Sequence, residues 1–81
     1  MPDYEPAFYV GSDVAIADLL DLHEFLRTWR FHNPLRKEQL AYAGKVARVA
    51  KVGFYFGGDS LYELEGIPGV WHEVCLRKPG R

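Results

Sequence analysis

Few residues in this 81-residue chain could take part in chemistry, and they cluster near its end. His72-Glu73-x-Cys75 sets an imidazole and a thiol three positions apart, which is half of a zinc site. Zinc takes four ligands at about 2.0–2.3 Å, so His23, His32 or a symmetry mate would have to complete it, and no Cys-x-x-Cys or His-x-x-x-His is present. The expectation is therefore no metal and no cofactor, with Cys75 a small buried apolar residue and His72 a surface strand residue. Catalysis by Cys75 would require a neighbour that ionises the thiol, which His72 could supply, and an oxyanion hole, for which nothing is in view. Glu63 and Glu65 share one strand face and read as solvated carboxylates, and His23 and Glu24 as exposed polar residues of a helix. Gly57-Gly58-Asp59 lacks the Lys-Ser/Thr and the strand-to-helix context of a phosphate loop and reads as a turn.

Two further sets suit binding better than catalysis. Phe54, Tyr55 and Phe56 stand at the tip of a glycine-flanked connector, and with Trp71 and His72 they form the expected contact set for a protein or peptide partner. Lys45, Arg48 and Lys51, beside Tyr55 and Phe56, would pair phosphate contacts with base stacking in a nucleic-acid reading. Charge weakens that reading. The pI is about 6.3, and residues 1–26 hold six acidic groups with no Lys or Arg, whereas residues 27–51 hold seven basic groups against Glu38. The simplest arrangement sets the acidic and basic stretches side by side, with complementary contact between subunits as the second.

The elements that must position these residues follow from period. Val14 and Ile16 lie at strand spacing after a Gly11-Ser12 turn or bulge, and Tyr9–Ile16 reads as the first strand. From Asp18, an N-cap, Leu19, Leu22, Leu26 and Trp29 form a helical stripe, with acids near the start and Arg27 and Arg30 near the end. Asn33-Pro34 reads as a second helix start, with that helix ended by Gly44. Period two then returns with Ala47 and Val49, and Val52 falls out of phase, which predicts a bulge. Ser60–Glu65 alternates, Gly66-Ile67-Pro68-Gly69 reads as a tight turn into Val70–Glu73, and Val74–Leu76 as a closing helical turn. Tyr62 is the expected aromatic of the core, and Trp29 and Phe31 either seal the barrel or make a self-interface.

Val10-Gly11 with Val14 and Ile16, Tyr42-x-Gly44-Lys45-x-Ala47-x-Val49-x-x-Val52, Tyr62-x-Leu64-x-Gly66, and Trp71 with Leu76 resemble the strand signature of SH3-like small barrels. Such signatures occur in short uncharacterised proteins of bacteria, phages and mobile elements, and are similar in Mind-bomb-type repeats and the nitrile hydratase beta-subunit barrel. The resemblance implies a mainly β fold, an SH3-like small barrel of about five short strands, with a helical insertion at about 18–43 between strands one and two. The insertion departs from the family, where a long loop is usual. The resemblance does not carry a function. Type II plasmid dihydrofolate reductases, barrels of similar length, build one pore from four copies, but their Val-Gln-Ile-Tyr motif has no counterpart here.

Composition fits one soluble domain: 48% hydrophobic, 15% aromatic and 26% charged residues. The boundaries expected are a loose arm at 1–8, held only if the sheet or a partner holds it, the barrel at 9–78 and a tail at 79–81. Neither a signal segment nor a membrane span is read, and the lone Cys75 agrees with a reducing, cytoplasmic setting. The function expected is a non-catalytic binding module that self-associates as a homo-oligomer. A nucleic-acid-binding barrel is the alternative, and an enzyme or small-ligand site formed only in an oligomer the second.

Overall fold

The computed structural model describes residues 6–54 and 60–80. Five antiparallel strands, β1 (Asp13–Ile16), β2 (Val46–Phe54), β3 (Ser60–Leu64), β4 (Ile67–His72) and β5 (Leu76–Arg77), form one curled sheet in the order β4-β3-β2-β1-β5. A helix, α1 (Leu19–Thr28), and a 3-10 turn at Lys37–Tyr42 lie between β1 and β2, and a second 3-10 turn at Glu73–Cys75 joins β4 to β5. The fold is therefore mainly β, a small half-barrel with the helical insertion where the sequence placed it.

The curl is made by β2. Its first half pairs with β1, through Arg48 opposite Asp13 and Ala47 opposite Val14. Its second half pairs with β3, through Val52 opposite Tyr62 and Lys51 opposite Glu63, and the register shifts between Val49 and Lys51. One extra residue in a strand bends it and raises its twist, so a single strand can serve both halves of the sheet. The extra residue is Ala50, and it is what sets Val52 out of phase with Val49.

Inside the curl, Val14, Ile16, Leu22, Val49, Tyr62, Leu64, Trp71, Cys75 and Leu76 form the core. Asp18 caps α1, its Oδ1 accepting from the Asp21 N–H at 2.9 Å, and the helix stops where Trp29 turns extended. The buried stripe is Leu22 with Phe25 and Leu26 beside it. Leu19, expected on that stripe, is half exposed because the helix meets the sheet only from its second turn onward.

Three local expectations are corrected. Val10 and Gly11 form a turn, Gly11 having φ 92°, and the first strand starts at Asp13. No helix begins at Asn33-Pro34: Asn33 takes φ 46°, and the 3-10 turn starts only after Arg36. The β3–β4 turn is Glu65-Gly66, with Leu64 opposite Ile67, and Pro68-Gly69 lie within β4, where the register shifts again. The sheet holds the inner end of the N-terminal arm, since the Ala7 N–H donates to Glu73 Oε1 at 3.2 Å and Phe8 packs edge-on against Tyr62.

Candidate binding face

Strand β4 is covered on both faces at its C-terminal end, Trp71 and His72, while Pro68 and Gly69 are exposed. Trp71 points into the barrel and has no exposed surface, while His72, its neighbour, is 3% exposed. Successive strand residues face opposite ways, so a second layer must cover His72. That layer is the insertion: the His72 ring lies 4.8 Å from Trp29 and 5.0 Å from Phe25, with His32 at 5.4 Å. Phe25 and Trp29, four residues apart, stack at 5.1 Å with planes 17° apart. His72 is thus not a surface strand residue, and neither it nor Trp71 is an exposed contact residue.

The layer fixes the backbone that follows it. Trp29 Nε1–H donates to the His32 carbonyl at 2.7 Å and folds residues 29–32 into a tight turn. His72 Nε2 lies 2.9 Å from the Asn33 carbonyl oxygen. A carbonyl only accepts, so Nε2 carries the proton. Asn tolerates the left-handed region better than most residues, and this hydrogen bond holds Asn33 there. The chain then runs through Pro34 and the buried Leu35 to Gln39. The Gln39 Oε1 accepts from the Arg36 N–H at 2.8 Å, and its Nε2 donates to the Val70 carbonyl at 3.1 Å. Gln39 therefore caps the edge of β4. A Cβ at Gly69 would lie 2.7 Å from Gln39 Nε2, so the close approach depends on glycine, as does the φ of 96°.

Between this segment and the sheet runs a trough of two compartments. The larger, about 560 Å³, is lined by residues 33–36 with Gln39, Gly69 and Val70. The smaller, about 220 Å³, is bounded by Lys51, Phe54, Leu61, Tyr62 and Glu63. Asn33 and Val70 border both. Phe54, 50% exposed, stands at the far end. Tyr55, Phe56 and the Gly57-Gly58-Asp59 turn lie outside the described residues. Of the expected contact set, then, Phe54 lines the trough and His72 underlies it, while Trp71 belongs to the core.

The basic set does not form a free stripe. Lys45, Arg48 and Lys51 are all exposed, but Arg48 Nε stands 3.9 Å from Asp13 Oδ1 and Lys51 sits opposite Glu63 in register. Arg77 likewise meets Asp21 at 2.7 Å. Of these contacts, Arg48 with Asp13 joins the basic stretch 27–51 to the acidic stretch 1–26.

Cys75 is buried, as read, at the base of a separate cavity of about 300 Å³ between α1 and the second 3-10 turn. Burial pushes its thiol up to about 12, against a weaker downward pull from Arg77. The thiol is protonated at neutral pH and is not a nucleophile there. Tyr62 is also pushed up to about 12, first by burial and then by its hydrogen bond to Glu73 Oε1 at 2.7 Å. Glu63 and Glu65 are exposed. Among the described residues no group of three or more His, Cys, Asp or Glu side chains is placed to hold a metal ion, and no helix is long and apolar enough to cross a membrane.

Sequence reading missed Asn33, Arg36, Leu61 and Val70 as trough residues. Asn33-Pro34 carried a signal, since the pair disfavours helix continuation, but it also fits a helix start. Comparison with protein families, curated proteins and solved structures finds no match to this chain.

Proposed function

We propose that the chain is a non-catalytic binding module whose contact face is the trough between residues 33–36 and strands β3 and β4, flanked by Phe54. The observation that carries this reading is the double cover of β4 at Trp71 and His72. The insertion buries an aromatic layer on the outer face of the strand and still leaves an open, walled channel beside it. Small-molecule and peptide sites are concave, part apolar and largely preformed, and this one has rigid walls at Gln39 and Asn33. Its length across two compartments suits an extended peptide better than a compact metabolite. A protonated, buried thiol and solvated carboxylates give no support to an enzyme.

The SH3-like kinship with short barrels of bacteria, phages and mobile elements is part of the same proposal, supported by the strand signature and the curled five-stranded sheet. So is a cytoplasmic setting, supported by the free Cys75. Self-association also belongs to it, supported by Leu20 at 80% and Phe31 at 68% exposure; light scattering over a concentration series tests it, and a strict monomer throughout contradicts it.

For the trough itself, short linear peptides selected from a random displayed library against the full chain are titrated into wild type and Phe54→Ser. The reading expects binding that Phe54→Ser weakens without loss of fold. Equal affinity for both proteins, or failure of any peptide to enrich, overturns it.

A further inference from the structure

The reading of the trough as a contact face leaves open what chemistry its occupant carries. Among the described residues the larger compartment has a single charged lining residue, Arg36. Arg48, Arg77 and Arg27 each have an acid within 4 Å, Asp13, Asp21 and Glu24 respectively, and Lys51, which borders the smaller compartment, stands opposite Glu63 in register. Among the described residues Arg36 has no ion-pair partner. Its backbone is nonetheless fixed, because its N–H donates to the buried Gln39 side chain. The Arg36 backbone is thus held at the lining of a cavity of about 560 Å³, from which its exposed side chain extends, while the adjoining compartment presents Phe54, Leu61 and Val70.

We propose that the trough recognises an extended peptide that carries a carboxylate beside an apolar side chain, the carboxylate paired with Arg36 and the apolar side chain seated among Phe54, Leu61 and Val70. A planar guanidinium forms two parallel hydrogen bonds to a carboxylate, which gives orientation as well as attraction. The exposed Asn33 side chain, on the wall between the compartments, can pair with the peptide backbone. The far compartment is charge-neutral, since Lys51 and Glu63 face each other, so it adds no second demand for an anion. That pattern separates a peptide from a polyanion. A nucleic acid presents evenly spaced phosphates and needs several cations along its path, whereas the described residues lining the trough supply two, Arg36 and Lys51, and Lys51 has Glu63 opposite it in register.

The test rests on the displayed library, read by sequence, with wild type and Arg36→Glu as baits and circular dichroism confirming that the variant is folded. Enriched peptides are expected to hold Asp or Glu next to an aliphatic or aromatic residue. Arg36→Glu, or Asp→Asn in a selected peptide, should weaken binding about tenfold or more, the loss of one charge-assisted pair. Enriched peptides without an acidic residue, or peptides that bind Arg36→Glu unchanged, overturn this inference and leave the binding-module reading standing. Failure of any peptide to enrich overturns both. A single-stranded oligonucleotide that binds more tightly than the selected peptides, with steep salt dependence, also overturns it.

Discussion

The two sides of β4 show the same strand solving two different problems. On the barrel side, Trp71 and Tyr62 sit fully buried among Val49, Leu64 and Leu76, with the Tyr62 hydroxyl donating to Glu73 Oε1 at 2.7 Å. On the other side, His72 is nearly as buried, but among Phe25, Trp29 and His32, and its Nε2–H holds the Asn33 carbonyl. The first environment stabilises the sheet. The second ties the insertion to the sheet through polar as well as aromatic contact, and its products are the fixed turn at Asn33 and the trough beyond it. A sheet strand has thus become the floor on which a loop is positioned.

This contrast can be broken most severely from the barrel side. Trp71→Ala removes a fully buried ring and is expected to cost about 3–5 kcal/mol, close to the whole stability of a domain this small, so urea denaturation should find it largely unfolded. On the insertion side, His72→Ala should cost less, about 1–3 kcal/mol for the lost aromatic contact and the orphaned carbonyl. Its distinguishing mark is local: amide shifts should move at residues 33–36 while the β1–β2 ladder stays put.

Two glycines sharpen the same distinction at lower cost. Gly69→Ala meets both a φ of 96° and the Gln39 side chain, and is expected to lose about 2 kcal/mol and to loosen the trough wall. Gly66→Ala has a φ of 75° but open space around the new methyl, so it should lose about 1 kcal/mol and leave the trough unchanged. Equal losses, or equal effects on peptide binding, would count against Gln39 as a wall.

Smallest at neutral pH, and confined to the barrel side, is an alkaline effect. Cys75 and Tyr62 have folded-state values raised from 9.0 and 10.0 to about 12. The unfolded chain therefore loses these protons first, so stability is full below about pH 9 and falls as pH rises toward 12. Thermal melts between pH 8 and 11 should show a falling Tm, shallower in Cys75→Ala once its neutral-pH loss is subtracted. A flat profile would mean that neither group is shielded.

Much of the barrel side was legible because burial on one face leaves a period of two: Val14 with Ile16, Ala47 with Val49, Tyr62 with Leu64. Even the bulge was readable from the phase of Val52. The helix start was readable from Asp18 and its acids. Only the second half of β4 was legible, as the strand at Val70–Glu73; its first half was not, because Pro68-Gly69 imitated a turn, and neither was its double cover at Trp71 and His72, because a segment buried on both faces carries no alternation. Asn33-Pro34 was ambiguous in kind: the same pair opens helices and ends extended turns, and only the hydrogen bond from His72, 39 residues away in sequence, decides between them. Trough residues such as Arg36 and Val70 have no local signature, since their meaning comes from what the insertion brings opposite the sheet.

The central claim is that the trough, and no other surface, receives the partner. The most direct measurement is a map of backbone amide shifts as a library-selected peptide is titrated into the labelled full chain. The account predicts perturbations concentrated at Asn33, Arg36, Phe54, Leu61 and Val70. Perturbations centred instead on Leu20 and Val74, or along Lys45 and Arg48, would contradict it.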